Sequence, residues 1–189
     1  VSIFQGALHE TNQRIDKIEI ENSIHDVKFE EMSTRIDDLE QKMLERNLII
    51  SGIDIEPTPA SMASQLNNLM NLNISATDIH FTTKIKTRDM NTKPRIKISF
   101  RDSTTKEAVF NARFALKDQP IYITDDLTLA RSKLAYLARQ AVKQNKAKST
   151  WVLNGKIFIK LRDDSIPKIM NSEAALSEYL RPNIPTHHQ

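Results

Sequence analysis

The stretch LEQKMLERNLIISGI, residues 39–53, is where the hydrophobic pattern of this 189-residue chain changes. Before it, apolar side chains recur at the three- and four-residue spacing of an amphipathic helix. From Asn47 onward, an apolar, β-branched run closed by Gly52 is typical of a strand. We therefore predict an α+β protein in which a long helix leads directly into a mixed body.

The residues through Arg46 follow a single heptad register. Its a positions are Val1, Leu8, Ile15, Asn22, Phe29, Ile36 and Met43, and its d positions are Phe4, Thr11, Ile18, His25, Met32, Leu39 and Arg46. Ten of these fourteen residues are apolar, over a length at which heptads favour a supercoil over a surface helix. No proline interrupts the segment. The pattern predicts a coiled coil over residues 1–46.

The a and d positions form the seam of a coiled coil, and residues in and beside this seam indicate how many helices associate. Two stretches, residues 14–19 and 35–40, place Arg at g, apolar residues at a and d, and Glu at e, a pattern associated with parallel three-stranded coiled coils. Asn22 at an a position costs stability but fixes register and strand number. These features favour a homotrimer, although dimers also carry them. The predicted oligomerisation residues are Arg14, Ile15, Ile18, Glu19, Asn22, Phe29, Met32, Arg35, Ile36, Leu39, Glu40 and Met43.

Charge is distributed unevenly along the chain. Residues 1–46 contain 6 basic and 11 acidic side chains, a net charge of −5, whereas the remainder contains 21 and 13, a net charge of +8. A basic body joined to an acidic helix indicates a polyanionic partner for the body and a separate role for the helix.

Residues 47–124 read as a first domain. Alternating and helical spacings predict strands at 47–53, 79–87, 95–101 and 121–123, and helices at 60–72 and 104–116. The resulting βαββαβ order is the ferredoxin-like arrangement of RRM-type RNA-binding domains. The third strand lacks the usual stacking aromatics, so a binding sheet would act through phosphates. Candidate ligands are Lys84, Lys86 and Arg88 at the tip between strands, and Arg95, Lys97 and Arg101 on the third strand; the alternative is a solvated strand face.

Residues 125–181 read as a smaller C-terminal lobe of helix, hairpin and helix. A helix at 129–145 would expose Arg131, Lys133, Arg139 and Lys143. A hairpin at 151–160 turns at Asn154-Gly155, the preferred two-residue turn. A short helix at 172–180 follows, and residues 182–189 are expected to form a flexible tail.

Residues for catalysis or cofactor binding are not evident. The chain has no cysteine, which excludes disulfides and thiolate chemistry in this stretch, and its three glycines form no phosphate-binding loop. The pairs Asp125/Asp126 and Asp163/Asp164 are interpreted as a helix cap and a turn rather than metal ligands. We therefore expect a protein that is not an enzyme and has no cofactor or metal. No apolar run is long enough to span a bilayer, and the start at Val1 leaves room for upstream sequence.

Two stretches resemble known families. The junction at residues 39–53 resembles that between the trimeric coiled coil and the RRM in first-open-reading-frame proteins of LINE retrotransposons. Residues 97–101, Ala112-Arg113, 120–128 and 151–156 resemble the C-terminal domain shared by baculovirus few-polyhedra (FP) proteins and related insect proteins. Together the resemblances cover nearly the whole chain.

The LINE resemblance implies a homotrimer that coats single-stranded RNA as a ribonucleoprotein and acts as a nucleic-acid chaperone. It implies RNA contacts at Arg95, Lys97, Arg101, Arg113, Arg131, Lys133 and Arg139. It also implies an intracellular location, in cytoplasmic ribonucleoprotein or the nucleus. Single-stranded DNA stays open as a ligand, and no membrane partner is expected. The alternative is an FP-like structural or assembly protein that acts through protein–protein contacts.

Overall fold

The computed structural model describes residues 2–86 and 94–181 of the chain. These residues form a mixed α+β structure, as predicted. The chain divides into two units, residues 1–40 and 41–189. The predicted ligand Arg88 and the predicted tail at 182–189 lie outside the described residues.

The first unit is a continuous helix. Helix α1 covers Ser2–Met43 and extends into the beginning of the second unit. Arg46, which the heptad register places at a d position, lies instead in the turn that follows the helix, so the predicted boundary was three residues too long. The described heptad residues are exposed in the single chain, with Phe29 at 72 % and Ile36 at 54 %. These apolar side chains are accessible to other copies of the chain. Their association into a coiled coil stays a prediction.

The second unit contains the remaining helices and strands. Its helices are α2 (Pro59–Met70), α3 (Ser103–Ala112), α4 (Leu129–Lys143) and α5 (Glu173–Tyr179), with 3-10 turns at Ala76–Asp78 and Arg113–Leu116. Its strands are β1 (Asn47–Ser51), β2 (Ile79–Ile85), β3 (Arg95–Phe100), β4 (Tyr122–Asp125), β5 (Ser149–Leu153), β6 (Lys156–Lys160) and β7 (Lys168–Met170).

Strands β1 to β4 form one antiparallel sheet in the order β2-β3-β1-β4. Ile50 of β1 lies opposite Ile96 of β3 and Ile123 of β4, so three apolar side chains share one face across neighbouring strands. Helices α2 and α3 cover this face, where Met62, Leu66 and Val109 are fully buried. The other face of the sheet carries a mixture of polar and apolar side chains, among them Lys97, Arg95 and Ile49.

Strands β5, β6 and β7 form a second antiparallel sheet in that order. Ile157, Ile159 and Met170 pack against Leu134 and Ala138 of α4 to form a separate small core. The predicted turn at Asn154-Gly155 is confirmed, because both residues have positive φ, 50° and 70°. Strand β7 was not predicted, since three residues are too few to show alternation.

The helix boundaries differ modestly from the sequence predictions. α3 ends at Ala112 and continues as a 3-10 turn rather than as an α-helix to Leu116. The N-cap of α4 is Thr128, whose side chain accepts from the Arg131 N–H. The interpretation of Asp125 and Asp126 as caps was therefore wrong, because both carboxylates are buried and make contacts elsewhere in the body.

Candidate nucleic-acid interface

One candidate binding surface is the face of the four-stranded sheet that helices α2 and α3 leave uncovered. Side chains alternate across a strand, so Ile49 and Ser51 of β1 lie on this face beside Lys97 and Arg95 of β3. Thr124 and Tyr122 of β4 continue the same two rows. We call this surface the open sheet face.

A β-bulge changes which side chains of β2 reach the open sheet face. Ile79 pairs with Phe100, but Phe81 pairs with Ser99, so His80 is the extra residue. Because a bulge shifts the alternation by one residue, Ile79 lies in the core while Phe81 faces outward and is 41 % exposed. The sequence alternation, taken alone, would have placed Phe81 in the core with Ile79.

Tyr122 and Arg95 flank a small residue on the same row. Ser51 lies opposite Arg95 on one side and Tyr122 on the other. Two strand spacings separate the backbone positions of Tyr122 and Arg95, about 10 Å, and Ser51 lies between them. Tyr122 is 59 % exposed and Arg95 is also exposed. The row therefore contains an aromatic residue, a small polar residue and a cation.

A polar junction occupies the opposite end of the open sheet face. Lys97 Nζ lies 2.9 Å from Asp126 Oδ2, and the Asn47 side-chain amide donates to the same oxygen at 3.0 Å. The Gln41 amide donates to the Asp126 carbonyl at 2.8 Å and accepts from the Thr128 N–H at 3.1 Å. Lys97, a predicted RNA ligand, therefore has its charge balanced within the body.

A second ion pair lies beneath the sheet, next to α3. Lys106 Nζ is 2.5 Å from Asp125 Oδ1, and both side chains are 4 % exposed. The Gly155 N–H donates to the other Asp125 oxygen at 3.3 Å. Arg131, another predicted ligand, is partly buried and donates to the Gly155 carbonyl at 3.0 Å. The Gly155–Asp125 bond joins the hairpin of the small lobe to the edge of the four-stranded sheet.

Arg113 lies in an aromatic stack. Its guanidinium carbon is 3.7 Å from the centre of the buried Phe110 ring and 4.4 Å from that of Phe114, and a guanidinium N–H donates to the Phe110 carbonyl. Burial lowers the pKa of Arg113 below its ordinary value, and the Asp125 carboxylate opposes that shift. The group keeps its charge. Phe114 is 69 % exposed, so the stack reaches the surface.

The remaining predicted ligands have varied surroundings. Lys84 pairs with Asp54 at 3.1 Å, and Lys133 with Glu173 at 2.7 Å. The Arg101 Nε–H donates to the Thr77 carbonyl at 2.8 Å. Lys86, Arg139 and Lys143 are exposed. Arg139 and Lys143 lie one turn apart on the outer side of α4, following Tyr136, which is 54 % exposed.

The predicted cations therefore do not converge on one cluster. Arg95 and Lys97 share the open sheet face, Arg139 and Lys143 share α4, and Arg113 lies beside the Lys106–Asp125 pair. The sequence did not predict Phe81 and Tyr122 as exposed rings, because the bulge at His80 turns Phe81 outward and RRM domains have their stacking aromatics on the central strands rather than on β4. The sequence did contain a signal for Tyr122. Because side chains alternate along a strand, Tyr122 lies on the face opposite to that of its core neighbour Ile123.

No protein-family model matches the chain, and no curated protein shows significant sequence similarity to it. None of the helices in residues 2–86 and 94–181 combines the length and apolarity needed to cross a membrane. Among those same residues, no three His, Cys, Asp or Glu side chains are grouped so as to hold a metal ion.

Proposed function

We propose that this chain is an oligomeric single-stranded RNA-binding protein that assembles ribonucleoprotein or acts as a nucleic-acid chaperone. The observation that carries the proposal is the open sheet face, where Phe81, Tyr122 and Arg95 are exposed together on one side of a sheet. Aromatic rings stack on any unpaired base and a guanidinium binds phosphate. A duplex has no free base faces to offer such rings.

The strand order supports an RRM-like assignment for residues 47–125. A β-α-β-β-α-β chain with spatial order β2-β3-β1-β4 and antiparallel neighbours is the arrangement of ferredoxin-like domains. RRM domains of this type bind RNA on the sheet face opposite the helices. In this chain the exposed rings come from β2 and β4 rather than from the two central strands.

Electrostatics favour a polyanion. The strands of the four-stranded sheet contain one carboxylate, Asp125, and it is directed to the helix side, where Lys106 pairs with it. Asp126 pairs with Lys97. These two carboxylates are therefore engaged by lysines of the body, and the excess of basic residues after Arg46 attracts phosphate.

In this proposal, helix α1 links several copies of the chain. A trimeric α1 would link three bodies, so that weak contacts on each body combine through a raised effective concentration. The retrotransposon origin implied by the LINE resemblance fits the same arrangement. The exposed apolar row of α1 equally suits an FP-like assembly protein, whose binding to its partner would not depend on phosphate contacts.

Fluorescence anisotropy of a labelled ~30-nucleotide single-stranded RNA, titrated with the full chain across a salt series, tests the proposal. We expect tight binding at low salt, with a logarithmic salt slope steeper than about −2, which corresponds to three or more phosphate contacts on a single strand. The double substitution of Phe81→Ser with Tyr122→Ser should weaken binding at every salt concentration.

Ile166→Ser is the matched control, because Ile166 is 84 % exposed and lies in the loop between β6 and β7. It removes exposed apolar surface without touching the open sheet face. Absence of RNA binding at low salt would refute the proposal and leave the assembly role. Binding that the Phe81 and Tyr122 substitutions do not change would remove the open sheet face as the site.

A further inference from the structure

The outer face of the second sheet carries an apolar row that the small core leaves uncovered. Ile157 and Ile159 of β6 face the core formed with α4, so the alternate residue Phe158 faces outward. Phe158 lies opposite Trp151 of β5 on one side and Ile169 of β7 on the other. Three large apolar side chains thus stand in register across all three strands.

The row is ordered and accessible. The Trp151 and Phe158 rings are parallel, with an interplanar angle of 2° and centroids 5.5 Å apart. Trp151 is 39 % exposed and Ile169 is 43 % exposed. Leu153, next along the outer face of β5, is 41 % exposed. A tryptophan ring held parallel to a second ring and still partly exposed to solvent presents a rigid stacking surface.

Two lysines flank Phe158 along β6. Lys156 pairs with Leu153 and Lys160 pairs with Ser149, both on the outer face. The strands STWVL, KIFIK and KIM contain three lysines and no carboxylate. Lys156 and Lys160 are four positions apart along the strand, about 13 Å. Apolar rings between two cations complement a ligand that has flat π faces and regularly spaced negative charges.

We propose that this surface, the hairpin platform formed by Trp151, Leu153, Lys156, Phe158, Lys160 and Ile169, stacks unpaired bases of the bound strand while Lys156 and Lys160 hold its phosphates. The inference rests on the proposed function and assigns it a second base-binding surface, in the C-terminal lobe. A contact between two such platforms would bring the lysines of both copies together, and this repulsion disfavours self-association here.

The chain contains one tryptophan, so fluorescence excited selectively at the red edge of tryptophan absorption, where tyrosine does not absorb, reports on Trp151 alone. Titration with a uridine-rich ~30-nucleotide RNA should quench this fluorescence in parallel with the anisotropy of the labelled strand. Trp151→Leu should weaken binding by about fivefold to 100-fold, as expected for loss of one stacked base. Trp151→Phe is the matched control and should retain most of the affinity, because it keeps a ring.

A strand with abasic sugars at every position, and therefore the same phosphates, separates stacking from charge. Wild-type chain should bind the base-bearing strand more tightly than the abasic one, and Trp151→Leu should narrow this difference. Lys156→Gln with Lys160→Gln should instead weaken binding to both strands and lower the salt slope by about 1.4, at 0.7 per contact. If Trp151→Leu does not fold, this lysine pair and Ile169→Ser carry the test.

RNA binding with unchanged tryptophan fluorescence, together with Trp151→Leu affinity within about twofold of wild type, would overturn the platform while leaving the proposed function intact. Absence of any RNA binding by the wild-type chain would overturn both the platform and the proposed function. A change in the sedimentation of the RNA-free chain on Trp151→Leu would show that a second copy covers the platform, and would also overturn the proposal.

Discussion

Lys106 on α3 and Asp125 at the end of β4 form an ion pair with a 2.5 Å separation between Nζ and Oδ1, and both side chains are almost fully buried. Asp125 also accepts from the Gly155 N–H of the small lobe. One carboxylate therefore connects a helix, a strand of the first sheet and the turn of the second. The relative position of the predicted RNA-binding surfaces depends on this connection.

Lys106→Met should destabilise the body by about 3–5 kcal/mol, because it leaves a buried carboxylate unpaired. Denaturant unfolding followed by circular dichroism measures the loss. Adding Asp125→Asn should recover part of it, since the amide removes the charge and still accepts from Gly155. Asp54→Ala, which breaks the exposed pair with Lys84, is the control and should cost less than about 1 kcal/mol. Equal effects of Lys106→Met and Asp54→Ala would contradict this account of the pair.

Gly155→Ala should destabilise the turn for two reasons. Gly155 has φ of +70°, and an added Cβ would lie 2.7 Å from Gln41 Cγ. The left-handed conformation alone costs about 1–2 kcal/mol for a residue with a side chain. Combining Gly155→Ala with Gln41→Ala should relieve the clash, so the two effects should not add in a double-mutant cycle. Strict additivity would show that Gln41 does not pack on the turn.

Arg113→Lys should weaken RNA binding about two- to fivefold although it preserves charge. The guanidinium stacks between Phe110 and Phe114, and lysine offers neither the planar stack nor several donors in a fixed geometry. Anisotropy at fixed salt measures the change. Lys117→Arg on the neighbouring exposed turn is the control and should leave the affinity unaltered. If the Arg113→Lys variant binds RNA as tightly as wild type, Arg113 contributes to binding only through its charge.

Asp102→Asn should reduce the acid sensitivity of folding. Thr105 donates its backbone N–H and its hydroxyl to the Asp102 carboxylate, and these bonds hold the pKa of Asp102 below its ordinary 3.8. A folded-state pKa below the unfolded value stabilises the fold above the unfolded value, and this stability is lost as pH falls through the folded pKa. Thermal melts at neutral pH and near pH 3 should therefore differ less for Asp102→Asn than for wild type. An equal difference in both proteins would exclude this carboxylate as a contributor.

Asn22→Ile should raise the melting temperature of the coiled coil while loosening its strand number, because a buried polar a position trades stability for specificity. Sedimentation equilibrium should then detect more than one oligomer. Thr34→Ile, at an f position outside the seam, is the matched control and should alter neither property. A single, unchanged species for Asn22→Ile would contradict the assigned register.

Residue periodicity was enough to predict the helix of α1, the β-α-β-β-α-β order and the Asn154-Gly155 turn, since each depends on local spacing or turn chemistry. It did not reveal that Asp125 and Asp126 are ion-pair residues. Their partners, Lys106 and Lys97, are 19 and 29 positions away in sequence, and local capping preferences gave a simpler explanation.

The exposed rings were missed for a different reason. The direction of Phe81 depends on the bulge at His80, and no residue type in that stretch indicates a bulge. Likewise, Lys97 and Arg131 were predicted as RNA ligands from their charge and from the LINE resemblance. Neither shows that a residue distant in sequence supplies a partner within the body, Asp126 for Lys97 and the Gly155 carbonyl for Arg131.

Photocrosslinking of the full chain to a 4-thiouridine-containing single-stranded RNA, followed by mass spectrometric mapping of the crosslinked peptides, tests the central claim most directly. We expect crosslinks on β2 and β4, in the peptides that contain Phe81 and Tyr122, with loss of these crosslinks on substitution of both residues by serine. Crosslinks confined to α1, or crosslinks elsewhere in the body that persist in the double variant, would contradict RNA binding on the open sheet face.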